Sequence, residues 1–167
     1  MTQKKSIAIS ACLLGHKVRY DGGHQASAIL LKELPTRFNI IPVCPEMEIG
    51  LGVPRTKIAL HRQGSKICLL STTRPVVDLT ERMMAYAQLF IDQYALSGLV
   101  LKDKSPSCGI NNCKIWDEQG NMQRNASGIF AAAIMQLKPD LPIWQSDAIL
   151  EDSELQEFIR QVGAYAD

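Results

Sequence analysis

Three cysteines of this 167-residue chain occupy loops of one kind: Ile9-Ser10-Ala11-Cys12-Leu13-Leu14-Gly15, Pro42-Val43-Cys44-Pro45-Glu46 and Ser105-Pro106-Ser107-Cys108-Gly109. Each follows a short apolar run that reads as a buried strand, so all three thiols fall just past strand ends. If those strands are parallel neighbours, their carboxyl ends form the edge at which open α/β sheets bind ligands. Three thiolates meeting there make a soft ligand set suited to zinc, copper(I) or an iron–sulfur cluster, and no fourth protein ligand stands out. An open fourth position at a metal is the usual arrangement for chemistry rather than for structure alone.

The remaining cysteines lack that context. Cys68, inside Lys66-Ile67-Cys68-Leu69-Leu70, reads as a small buried hydrophobe. Cys113 precedes a strand instead of following one, which makes it a weaker substitute ligand. No C-x-x-C pair occurs, against a thioredoxin-like or zinc-ribbon reading. Cys44-Pro45-Glu46 is similar to the ligand-then-glutamate arrangement of the zinc deaminases, but their P-C-x-x-C partner is missing. His16, His24 and His61 have no helical ligand spacing, and none is assigned to a metal.

The elements needed to hold the loops can be read in order. Ser6 to Ser10 is a strand, and Ala26, Ile29, Leu30 and Leu34 recur at helical spacing until Pro35 closes the segment. Phe38 to Val43 is a second strand. Lys57–Leu60 and Lys66–Leu70 flank Gly64 as a hairpin. Asp78 or Thr80 caps a long helix through about Leu96, whose stripe of Leu79, Met83, Tyr86, Ala87, Phe90, Ile91 and Tyr94 is a core face. Leu99–Leu101 is a third strand, and a second hairpin turns at Glu118-Gln119-Gly120. Ser127 caps a helix from Ile129 to Leu137, Leu141–Trp144 is a fourth strand and Ser153–Ala164 a last helix. This alternation predicts a parallel sheet covered by helices on both faces, with the hairpins as an antiparallel edge or an excursion.

Length suits one domain over residues 1–167, without disulfide staples. No apolar run is long enough to cross a membrane. The basic start Met1-Thr2-Gln3-Lys4-Lys5 leads into no signal-peptide hydrophobic stretch, so a cytoplasmic protein is expected. There, five cysteines are metal-binding, catalytic or buried rather than bridged. A net charge of +1 gives no reason to expect extended polyphosphate binding and favours a small substrate.

Taken together, Ser10–Gly15 with Val18-Arg19-Tyr20-Asp21-Gly22-Gly23, Val43–Glu46 with Gly52-Val53-Pro54-Arg55, and Lys102-Asp103-Lys104-Ser105-Pro106-Ser107-Cys108-Gly109 resemble the thiouracil desulfidase (TudS-like) family. The resemblance implies a Rossmann-like, three-layer α/β sandwich with a mainly parallel sheet. It also implies an enzyme carrying a [4Fe-4S] cluster on Cys12, Cys44 and Cys108, with the substrate sulfur on the open iron, Glu46 as acid/base and Ser105 as an orienting hydroxyl. The implied reaction is non-redox desulfuration of thiouracil, or a related thiolated pyrimidine, to uracil plus sulfide. Glu48 departs from the family pattern by putting a second carboxylate near the site. The chain lacks the extra C-terminal domain of relatives that act on thiolated tRNA, so a free base or nucleoside is expected and nucleic acid is not. The chemistry is coherent in itself: a soft thiocarbonyl sulfur suits an open iron, and a carboxylate two positions from a ligand is placed to activate water.

Plainer readings remain for several residues. Glu46 is also a helix-start residue after Pro45, and Ser105 a turn residue before proline. Arg19, Arg55, Lys102 and Lys104 could hold a nucleotide phosphate, offset a cluster's charge, or be solvated. The competing functions are a structural cluster or sulfur-carrier module and, less favoured, a zinc hydrolase with three thiolate ligands.

Overall fold

The computed structural model describes residues 3–166. Along the chain run β1 (Ser6–Ser10), α1 (Ala28–Arg37), β2 (Asn39–Val43), the one-turn α2 (Pro45–Glu48), the hairpin β3 (Ile58–Gln63) and β4 (Lys66–Ser71), and α3 (Thr80–Gln93). They are followed by β5 (Gly98–Leu101), the hairpin β6 (Cys113–Trp116) and β7 (Met122–Ala126), α4 (Ile129–Leu137), β8 (Ile143–Gln145) and α5 (Asp152–Ala164). No helix among the described residues is long and apolar enough to cross a membrane.

The single-strand elements pair in the order β2-β1-β5-β8, all in parallel, as expected. β1 therefore has β2 on one side and β5 on the other, and the chain switches direction of winding at this strand. Alternation along the strands sends side chains to opposite faces. Ile7, Ile9 and Val100 join Leu30, Leu34, Leu155, Phe158 and Val162 of α1 and α5, while Ala8, Leu99 and Leu101 join Met83, Ala87, Phe90, Phe130 and Ile134 of α3 and α4. Phe90 and Phe130 meet at 5.7 Å with their planes tilted by 59°, an edge-to-face contact that adds to their burial.

The hairpins are not an edge of the parallel sheet but leave it, and together they form a second four-stranded sheet, β4-β3-β6-β7. Its centre is a parallel pairing of β3 with β6, Leu60 opposite Ile115 and His61 opposite Trp116. Leu60, Leu69, Ile115 and Ala126 share the core of α3 and α4.

Local departures have simple causes. Pro35 lies inside α1, which continues to Arg37. A proline in the last turn forfeits only its own N–H bond, and the Phe38 N–H still reaches the Leu34 carbonyl at 2.9 Å. Neither Asp78 nor Thr80 is the N-cap of α3, which is Leu79 with no side-chain cap bond; Asp78 accepts the Thr80 N–H at 2.9 Å from one position earlier, and the helix stops at Gln93, short of Leu96. Ser127 does not cap α4, whose N-cap is Gly128; its hydroxyl instead bonds Asn111. Glu151 and Glu154 form a capping box at the start of α5.

Candidate functional site

Because β1, β2 and β5 are adjacent and in register, with Ser10 opposite Val43 and Ile9 opposite Val100, the loops that follow them emerge side by side. Cys12 sits in a 3-10 turn over Ala11–Leu14 closed by Gly15 at φ 90°, a backbone conformation that glycine adopts without strain. Its carbonyl accepts the Gln25 N–H at 2.9 Å. Cys44 is the N-cap of α2, with Pro45 at its first position. Cys108 ends a tight loop in which the Ser105 Oγ accepts the N–H groups of Ser107 at 3.2 Å and Cys108 at 3.1 Å.

That third loop is clamped from behind by the start of α4. The N–H groups of Gly128, Ile129 and Ala131 donate to the carbonyls of Gly109, Pro106 and Ser107 at 2.8, 3.2 and 3.1 Å. The approach is close enough that a β-carbon on Gly128 would lie 2.3 Å from the Ser107 carbonyl carbon. Cys113 supports the same loop, its thiol donating to the Ser105 carbonyl at 3.0 Å.

Cys12, Cys44 and Cys108 line one cavity of about 270 Å³ together with Glu46 and Ser105. Cys68 is buried in the second sheet and Cys113 stands behind the loop; neither lines this cavity. Burial raises the pKa of all three cavity thiols, Cys108 most strongly, and the nearby negative groups Glu46, Cys44 and Cys12 add to the effect at Cys108. Lys102 and Arg19 work in the opposite direction at Cys12, and Arg55 does so at Cys44.

This donor set fits a multinuclear iron–sulfur group. The donors are soft, sheltered and mutually repelling once ionised, so holding three thiolates here calls for a cationic partner that touches each. Among the described residues no group of three His, Cys, Asp or Glu side chains is placed to hold a metal ion.

Glu46 is held at both oxygens. Arg55 Nε donates to Oε2 at 2.7 Å, and Ser107 Oγ donates to Oε1 at 2.9 Å. Glu48, two residues on and so turned to another side of α2, does not line the cavity. Arg55 is thus engaged, as is Lys102, which pairs with Asp103 at 2.8 Å. Ser107 carries no separate signal in the sequence: in Ser-Pro-Ser-Cys-Gly it looks no different from Ser105.

Beside it lies a second cavity of about 540 Å³ whose walls share Arg19, Tyr20, Glu46, Lys104 and Pro106. Its walls add Lys57, Lys114, Arg124 and Trp116, giving it five cationic side chains against one carboxylate, Glu46. Lys57 Nζ lies 5.1 Å from the centre of the Tyr20 ring. The near-neutral total charge concealed this concentration, because its cations come from both sheets' loops and strands.

A parallel α/β sheet with a three-thiol cavity at its carboxyl edge defines a class: an open α/β protein with its candidate site at the topological switch point. The chain belongs to the 2-thiouracil desulfurase family, which matches over residues 7–146. It is 31% identical over 110 residues to the uncharacterized protein YbbK of Bacillus subtilis (strain 168), covering 62% of this chain and 72% of that one. It also superimposes with a TM-score of 0.71 and 25% identity on the [4Fe-4S]-dependent thiouracil desulfidase TudS, covering 97% of this chain and all of the other.

Proposed function

We propose that this protein is an iron–sulfur enzyme that converts a thiolated pyrimidine to the oxygen analogue, with Cys12, Cys44 and Cys108 as the ligands of a [4Fe-4S] cluster. The observation that carries the reading is that these three thiols, two buried and Cys44 half-buried, line one cavity with Glu46. When bound, the cluster supplies a Lewis-acidic iron with an open position for the soft thione sulfur.

The chain's own residues supply the rest. Glu46 faces the cavity as a hydrogen-bond acceptor and takes the proton of a water that adds to the ring carbon. It returns that proton as the carbon–sulfur bond breaks. Overall, C=S plus water gives C=O plus hydrogen sulfide, with no electron transferred. Ser105 spends its acceptor capacity on the Ser107 and Cys108 N–H groups, leaving its own O–H to orient substrate or water. The cationic groove beside the cavity favours a substrate with an anionic group attached to the base. The proposal therefore goes beyond the expectation of a free base or nucleoside to a thiolated nucleotide, its base at the thiols and its phosphate in the groove.

The test is anaerobic reconstitution with iron and sulfide, followed by 2-thiouracil, 4-thiouracil, 4-thiouridine and its 5′-monophosphate as substrates. Sulfide and the oxygen analogue form, fastest from the monophosphate. Alanine at Cys12, Cys44 or Cys108 abolishes iron uptake and turnover together, whereas Cys68→Ala keeps both. No desulfurated product from any of the four compounds would reject the proposal. A sulfur carrier without turnover would be indifferent to Glu46→Ala.

A further inference from the structure

Resting on the reading of Glu46 as the proton-moving group, we propose that Arg55 and Ser107 are its positioning residues, a two-sided clamp that fixes the carboxylate against the thiol cavity. The Arg55 side chain is only 6% exposed and Ser107 1%, so neither bond competes with bulk water. They take different oxygens, Nε of Arg55 on Oε2 and Oγ of Ser107 on Oε1. A single contact would leave the carboxylate free to rotate about it; two contacts on separate oxygens fix both its place and its plane.

Each jaw is itself anchored to a different part of the fold. The backbone N–H of Arg55 donates to the Tyr20 carbonyl at 3.0 Å, and its Nη1 donates to the Gly52 carbonyl at 2.9 Å. Nη1 also lies 3.6 Å from the Met47 sulfur. Ser107 is held through its N–H by the Ser105 hydroxyl and through its carbonyl by the first turn of α4. The clamp therefore ties the loop after β1, the loop after α2 and the loop after β5 to one carboxylate. Arg55 thus has Nε and Nη1 committed to Glu46 and the Gly52 carbonyl. Misplacing a reacting group by about 1 Å costs about a hundredfold in rate, which is the size of effect a lost jaw should produce.

A cycle of Glu46→Ala, Ser107→Ala and the double variant tests this in reconstituted protein, with iron content, visible spectrum, kcat and KM measured for each. Ser107→Ala retains iron and spectrum, loses about ten- to a hundredfold in kcat, and changes KM by less than about twofold, since its hydroxyl is committed to Glu46. The double variant is no slower than Glu46→Ala, because Ser107 acts through that residue. Losses that multiply in the double variant overturn the clamp while leaving Glu46 as acid/base. Undiminished turnover in Glu46→Ala overturns both.

If Ser107→Ala takes up no iron, Arg55→Gln replaces it in the same cycle with the same outcomes. Metal-free protein labelled with carbon-13 at the glutamate carboxyl gives a second readout, one that does not depend on turnover. The Glu46 resonance moves in both Ser107→Ala and Arg55→Gln and stays in Glu48→Gln; an unmoved resonance in the two clamp variants refutes the proposal.

Discussion

Gly128→Ala isolates the contact between α4 and the Cys108 loop. The added β-carbon would sit 2.3 Å from the Ser107 carbonyl carbon, 2.5 Å from its oxygen and 2.6 Å from the Cys108 nitrogen. All three are backbone atoms, so relief cannot come from turning a flexible side chain. Gly128 has φ −61° and ψ 150°, which alanine adopts freely, so the whole penalty is steric. Overpacking of this kind costs about 1–3 kcal/mol, equivalent to roughly 2–12 °C in Tm for a chain of this size. The matched control is Gly163→Ala on α5, where no atom lies within 4 Å of the new carbon. That change gains up to about 1 kcal/mol from helix propensity, or roughly 2–4 °C. Thermal melts of both metal-free variants, with iron uptake measured after reconstitution, check the pair. Gly128→Ala melting within about 1 °C of the parent and binding a full complement of iron would refute the argument that this close approach sets the Cys108 loop.

Two further outcomes are expected. Burial pulls the pKa of Asp103 upward, but hydrogen bonds from Lys102 and Ser146, with the charge of Lys102, outweigh it and hold the carboxyl below its usual 3.8. A lowered folded pKa means stability present above the unfolded value and lost as pH falls through the folded one; Asp103→Asn should therefore be the less stable at pH 7 and lose that deficit in acid melts below about pH 4. A deficit that persists unchanged in acid would refute the assignment. Phe90→Ala, which empties the ring site between Tyr86, Tyr94 and Phe130, should cost about 3–5 kcal/mol in urea unfolding; less than about 1 kcal/mol would contradict a close-packed core there.

Much of the frame was legible because it rests on local signals. Each of Cys12, Cys44 and Cys108 follows an apolar run and lies close to a glycine or proline, and the run, turn and helix repeat along the chain. Parallel neighbours then bring the loops together without further instruction. The second sheet was not legible: both hairpins announce themselves by their turns, but the pairing of Leu60 with Ile115 is between distant segments and leaves no mark in either. The Glu46 clamp depends on the same kind of distant meeting, Ser107 reaching Glu46 from another loop. Ser127 looked like the better cap for α4, yet only a residue without a side chain fits where Gly128 stands. The cationic groove was hidden by averaging, since a molecule with total charge +1 can still gather five positive side chains around one cavity.

The separate pairing of the hairpins has an evolutionary corollary. All three cavity thiols follow strands of the parallel sheet, whereas Lys57, Lys114, Trp116 and Arg124 belong to the hairpin strands or their approaches. The thiols thus come from the parallel sheet alone, whereas the groove's cations come from both sheets, Arg19 and Lys104 from the first and Lys57, Lys114 and Arg124 from the second. If the proposed function holds, exchanging Lys57, Lys114 or Arg124 changes which molecule is held while leaving the strands that carry Cys12, Cys44 and Cys108 as they are.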